Sequence, residues 1–199
     1  MKNKPEYTFD EENHVHRIGG YVVPGVTTVL NDLIPCWAAG EWYLERGKAV
    51  HACAAMIALK KEFEYDPQIE GQVHALRQFF EDHAPEVYGV EQPVFSLKYR
   101  YAGIADLFCT LAFDSVLIDF KASFSEALPF QLAAYSMAYQ EMTGKAYKLG
   151  MGVEIHPDGT YALSALYDLK RYKQEWLSLL TTYRIRRRCK VKEEDHVGE

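Results

Sequence analysis

Two acidic residues and a lysine sit inside runs that read as β-strands. Asp106 closes Gly103-Ile104-Ala105-Asp106, and Asp119 and Lys121 lie in Leu117-Ile118-Asp119-Phe120-Lys121. A strand interior holds a carboxylate only at a cost, so each calls for a cation or a hydrogen-bond donor beside it. Residues two apart in a strand share a face, which turns Asp119 and Lys121 to one side and Ile118 and Phe120 to the other. If the two strands pair across their tight connection, Asp106 comes up beside Asp119. Two carboxylates with a backbone carbonyl and water suit Mg²⁺ or Mn²⁺, which prefer hard oxygen ligands. Lys121 can then orient a water or offset charge developing on a phosphate. For D-x-K alone the plain alternative is an ion pair at a sheet end. The preceding Gly103-Ile104-Ala105-Asp106 tips the balance to a metal site.

Three strands must position these groups: Val90 to Leu97, Tyr101 to Leu111 and Ser115 to Lys121. Each is rich in β-branched or aromatic residues, and the short connectors predict antiparallel neighbours. The pattern Leu128 to Thr143 predicts a helix ended by Gly144. A strand pair then follows, Lys148 to Ile155 and Tyr161 to Leu166, around His156-Pro157-Asp158-Gly159. Asp168 to Arg188 reads as a last helix. Earlier in the chain, Tyr7 to Val23 reads as a β-hairpin turning at Gly19-Gly20. Thr27-Thr28 are candidate caps for a short helix through Leu33, stopped by Pro35. Trp37 to Lys61 reads as a long helix interrupted by Gly40 and Gly47, and Pro67 opens another, from about Gln68 to His83. The sum is an α+β domain with a central sheet.

Three further features bear on the chemistry. Glu91 begins the strand Val90-Glu91-Gln92-Pro93-Val94 and can offer another oxygen to a metal. Gln131 and Tyr135 in Phe130-Gln131-Leu132-Ala133-Ala134-Tyr135 share a helical face. There Gln131 can hold Lys121 or a phosphate, and Tyr135 can stack or hydrogen-bond. Gly47 in Arg46-Gly47-Lys48-Ala49-Val50-His51 costs a helix about 1 kcal/mol relative to alanine, a cost that close approach of a strand or backbone would explain. His51, one turn on, can ligate a metal. Each feature taken singly also fits ordinary surface or core positions.

From Arg46 to Tyr139 the set resembles the PD-(D/E)xK nuclease superfamily, and within it the RecB/Cas4-like exonuclease branch with its phage-encoded members. The order is G-x-x-x-H on a helix, a Glu before the first core strand, G-x-x-D, D-x-K, then Q-x-x-x-Y on the next helix. The resemblance implies a restriction-endonuclease-like core, a central mixed sheet flanked by helices, with the N-terminal hairpin added. It implies one nuclease domain over 1–199: hairpin and short helix over 1–35, core over 36–192 and acidic tail over 193–199. Asp106 and Asp119 would be the principal ligands of one or two Mg²⁺ or Mn²⁺ ions, with the Phe120 carbonyl assisting and His51 and Glu91 completing the site. Lys121 would be the catalytic lysine, supported by Gln131 and Tyr135. Arg46, Lys48, Arg186, Arg187 and Arg188 would contact DNA. The implied activity is phosphodiester hydrolysis, as an exonuclease on single-stranded DNA or DNA ends, in phage recombination, repair or defence.

The family's iron–sulfur branch needs one early cysteine and three clustered late. Here Cys36, Cys53, Cys109 and Cys189 are scattered, which argues against a cluster and against a close-spaced zinc site. The chain has 199 residues, 48% of them hydrophobic, enough for one packed domain. Its start lacks the apolar stretch of a signal peptide and no run is long enough to span a membrane, which points to the cytoplasm of a bacterial or phage-infected cell. Net charge is −6, against broad coating of nucleic acid, yet Arg184 to Lys192 is strongly basic. That run fits either a solvated helix end or a phosphate contact. The competing function is a non-catalytic DNA-binding or assembly module on the same fold, docking on a helicase, polymerase or recombinase. His14-Val15-His16 reads as two exposed histidines on one strand face rather than a metal site. Trp37, Trp42 and Tyr43 read as core rather than as stacking platforms for bases.

Overall fold

The computed structural model describes residues 5–34 and 41–196, with side chains over 5–34 and 45–189. Pro35, Cys36, Trp37 and Gly40 lie outside the described residues, as do the side chains of Trp42 and Tyr43. Strands β1 (Tyr7–Asp10), β2 (Val15–Ile18) and β3 (Tyr21–Val23) form an antiparallel meander, one strand more than the expected hairpin. The extra turn has no glycine. Asp10 makes it, accepting from the Asn13 backbone and side-chain amides, both at 3.0 Å. His14, at φ 55°, is in that turn rather than on a strand face. His16 is buried against Phe9, with its Nδ1 2.9 Å from the Tyr7 hydroxyl, so the two histidines do not form an exposed pair.

Helix α1 (Val26–Leu33) starts from Gly25, so Thr27 and Thr28 lie inside it instead of capping it. Helix α2 is Glu41–Ala58; a 3-10 turn, Pro67–Ile69, leads into α3 (Glu70–His83). The central sheet comprises β4 (Glu86–Ser96), β5 (Tyr101–Leu111), β6 (Asp114–Lys121), β7 (Leu149–Ile155), β8 (Tyr161–Leu163) and β9 (Tyr167–Asp168). Its order is β4-β5-β6-β7-β8, with β9 also on β7. Among the described strands of this sheet only β6 and β7 pair in parallel, because α4 (Leu128–Thr143) carries the chain back between them. Helix α5 (Leu169–His196) follows, running beyond the expected Arg188.

Two cores lie on the two faces of this mixed sheet. One packs α1, α4 and α5 on Val94, Tyr101, Phe108 and Leu117, with Trp176 fully buried. The other packs α2 and α3 on Leu107, Cys109, Ile118, Phe120 and Val153. The alternation of Leu117 with Ile118 between them is the period-two pattern of a strand covered on both sides. Cys53 and Cys109 belong to this second core, and Cys189 is exposed on α5. No helix among the described residues is long and apolar enough to cross a membrane.

Candidate metal site

The site sits where β5 and β6 part. Their ladder runs from Leu111–Asp114 to Leu107–Ile118 and stops one position short of Asp106 and Asp119. Beyond it the Phe120 N–H has lost a strand partner, and the Asp106 carboxylate takes its place, accepting at 2.7 Å. A buried N–H left unpaired would cost about 1–3 kcal/mol, so Asp106 both closes the sheet and presents its charge to the cleft. Phe120 thus enters through its amide, while its ring packs in the core of the opposite face.

Asp106 meets residues from two other elements. His51 of α2 places Nδ1 3.2 Å from Asp106 Oδ2 and 3.8 Å from Glu91 Oε1. Ligand atoms of His51, Glu91 and Asp106 lie within 4.8 Å of one another. One imidazole and two carboxylates, with Asp106 buried and the others partly open, form a donor set that fits a hard divalent cation. Glu91 is not at the start of its strand, as the sequence suggests, but in its middle. Its φ of 45° is rare for a non-glycine residue and costs of order 1–3 kcal/mol.

Asp119 has different company. Its Oδ1 accepts from Gln131 Nε2 at 2.8 Å, and its Oδ2 meets the Lys121 ammonium at 2.5 Å. Gln131 also donates to the Tyr135 hydroxyl at 3.1 Å, so the helical pair expected to hold Lys121 holds Asp119 instead. Tyr135 in turn explains a glycine. A Cβ on Gly103 would lie 2.5 Å from Tyr135 Cε1, so the glycine of G-x-x-D makes room for the tyrosine of Q-x-x-x-Y.

The charges follow from these contacts. Burial alone would raise the Asp106 pKa, but His51, Lys121 and the Phe120 N–H outweigh it and hold the group below its ordinary value. Asp119 goes the other way, raised to about 6 mainly by burial and by the Asp106 charge, against the pull of Lys121. His51 is raised to about 10, chiefly by Asp106. Lys121 is raised as well: burial works against its charge, but the two aspartates prevail. A cation at the His51–Glu91–Asp106 cluster would replace the imidazolium charge.

Other expected residues fall elsewhere. Arg46 leans to α3, where the Gln72 amide, oriented to satisfy both its ends, accepts from it at 3.2 Å, and Lys48 is exposed. Gly47 is not explained by close packing, since a Cβ there meets no described atom within 4 Å. Arg186 binds the Asp32 carbonyl at 2.8 Å and ties α5 to α1. Arg187 and Arg188 are exposed on α5, and no described hydrogen bond or ion pair joins them to the acidic cluster.

Sequence reasoning missed Glu154. It faces Lys121 across the parallel β6–β7 register, and its Oε2 accepts from Phe124 N–H at 3.4 Å, with His156 Nε2 3.2 Å from Oε1. It anchors the loop that leaves Lys121. No local signal marks it, because its position depends on a crossover through α4.

No protein-family profile and no curated protein matches the sequence. Among solved structures, the chain is similar to an alkaline exonuclease (LHK-Exo) from Laribacter hongkongensis. Identity is 12%, the TM-score 0.47, and 87% of this chain and 92% of that one are covered. LHK-Exo in complex with dAMP gives 11%, 0.48, 88% and 93%. No residue role follows from similarity at this level.

Proposed function

We propose that this chain is a divalent-cation-dependent deoxyribonuclease, an exonuclease hydrolysing phosphodiester bonds of single-stranded DNA or DNA ends. The supporting observation is a lysine–carboxylate pair, half-buried Lys121 on fully buried Asp119, set beside a three-residue donor cluster at the open end of a sheet. A purely structural ion pair gains little from burial, since its desolvation offsets most of the attraction. His51, Glu91 and Asp106 would hold Mg²⁺ or Mn²⁺. When bound, such a cation polarises the phosphate and supplies a nucleophile at neutral pH. The chain's own groups do the rest. Asp119 and Gln131 fix the Lys121 ammonium, which stands ready to offset charge growing on the phosphate oxygens. The Tyr135 hydroxyl fixes Gln131, and the Tyr135 ring is fixed by its fit over Gly103.

The test is cleavage of labelled single-stranded, double-stranded and flapped DNA by the purified chain with and without Mn²⁺. Metal-dependent cleavage is expected, and Asp119→Ala and Lys121→Ala should each abolish it while retaining the circular dichroism of the parent. Full cleavage by either variant, or none by the parent on any substrate, refutes the proposal.

A further inference from the structure

Away from the acidic cluster, a cavity of about 740 Å³ opens between the N-terminal meander and α5. It is walled by His14, Pro24 and Gly25 on one side and by Tyr183, Arg184, Arg187 and Arg188 on the other. In a chain of net charge −6, this lining contains three arginines and, among the described residues, no carboxylate. Arg184 is aimed by the fold: its Nη2 donates to the carbonyls of Tyr99 and Arg100 in the β4–β5 turn, at 2.5 and 3.0 Å. Arg100 lies over the Tyr21 ring at 5.5 Å, and Tyr21 and Val22 are 69% and 60% exposed. Cations gathered without described counter-charges repel one another and draw an anion between them.

We infer that this groove is a second nucleic-acid subsite, which holds the phosphate backbone of the substrate strand at a distance from the scissile bond. The inference rests on the nuclease reading and extends it. The turn that seats Arg184 leads directly into β5, and the five steps from Tyr101 to Asp106 span roughly 17 Å of extended strand. That is about five phosphates at 3.4 Å per nucleotide along a stacked strand. Arg187 and Arg188 supply the phosphate contacts, while Arg186, committed to Asp32, has a packing role. The contact is electrostatic and carries no sequence preference.

The experiment measures binding of a fluorescein-labelled oligothymidylate to the full chain in EDTA, across roughly 50 to 200 mM salt. Arg187→Gln/Arg188→Gln should weaken binding, and the slope of log affinity against log salt should become shallower by about 1.4, the value for two phosphate contacts on a single strand. Arg171→Gln, which removes an 81% exposed cation from the start of the same helix, should leave the slope unchanged. Catalysis is read separately, as Mn²⁺-dependent hydrolysis of the p-nitrophenyl ester of thymidine monophosphate, too small to reach the groove. The double variant should hydrolyse the ester at the parental rate. An unchanged salt slope overturns the subsite, whatever the ester shows, and means that the groove serves another ligand, such as an acidic protein segment. Loss of ester hydrolysis in the double variant overturns it too, because the groove would then be part of the reacting centre.

Discussion

Asp106 and Asp119 are cross-strand neighbours, yet they stand in two differently built halves of one site. The Asp106 half is open. His51 and Glu91 have side chains 33% and 40% exposed, and among the described residues Asp106 is bonded, besides His51, by a backbone N–H. The Asp119 half is closed, with Gln131 on one oxygen and Lys121 on the other. Their pKa values move in opposite directions for the same reason. Both carboxylates are buried, but Asp106 gains more from its cationic neighbours than burial costs it, and Asp119 does not. The difference teaches that identical side chains facing each other across two strands can take a histidine or a lysine as partner, according to which elements lean on them.

The largest expected effect tests that division. Asp106→Asn and Asp119→Asn should each lower cleavage by about 10²- to 10³-fold, the scale of losing one preorganised charged group. Their cation responses should separate. A cation at 100 times its dissociation constant stabilises the parent by about 2.7 kcal/mol. Asp106→Asn should lose this Mn²⁺-induced rise in Tm, and Asp119→Asn should keep most of it. Equal loss in both variants would merge the two halves into a single pair of ligands, the arrangement expected from the strand pattern alone.

The closed half depends on Gly103. Gly103→Ala drives a Cβ to 2.5 Å from the Tyr135 ring, and overpacking of this kind costs roughly 1–3 kcal/mol, measurable by urea unfolding. The ring must move, Gln131 loses its hydroxyl partner, and cleavage should drop while the Mn²⁺ shift persists. Loss of the Mn²⁺ shift instead would mean that the open half leans on the same packing.

Much of this was legible in the sequence because it is local. β5, β6 and α4 follow from period-two runs, short connectors and Gly144, and the motifs G-x-x-D, D-x-K and Q-x-x-x-Y lie on them where expected. What could not be read depends on distant contacts. The meander's first turn rests on an Asp10–Asn13 interaction in place of glycine or proline. The left-handed φ of Glu91 has no marker in its residue type, and the partition of partners between Asp106 and Asp119 depends on where α2 and α4 dock. Strand patterning showed that the carboxylates share a face, but a helix's lateral position is not encoded by period.

Proton linkage sharpens the same contrast at smaller scale. His51 has a folded pKa of about 10 against an ordinary 6.5, so its stabilising share is complete below pH 6.5 and is lost as pH rises through 10. Asp119, raised to about 6, favours the protonated form on folding, and its share is lost earlier, between about pH 4 and 6. Asp106, lowered, has the reverse sign: its share is present above the ordinary carboxylate range and lost on acidification. The cation-free chain should therefore lose Tm between pH 6.5 and 10, and His51→Gln should flatten that descent. Added Mn²⁺ should bind more tightly as pH rises through the same window, since the imidazole must shed its proton to ligate. A descent that persists in His51→Gln would place its origin outside the open half.

The smallest effect concerns a further carboxylate, Glu154, that lies outside both the donor cluster and the Asp119–Lys121 pair. Glu154 fixes the loop after Lys121 by accepting from Phe124 N–H, a single hydrogen bond of roughly 1 kcal/mol in net terms. Glu154→Ala frees the loop and should lower kcat several-fold, with KM and the Mn²⁺ shift unchanged. Glu154→Gln keeps an amide oxygen facing Phe124 and should restore most of the rate, although it gives up the charge opposite His156. If Gln fails where only the hydrogen bond should matter, the Glu154 charge itself acts on Lys121 across the parallel strands. The closed half would then extend to β7, with Lys121 shared between two carboxylates.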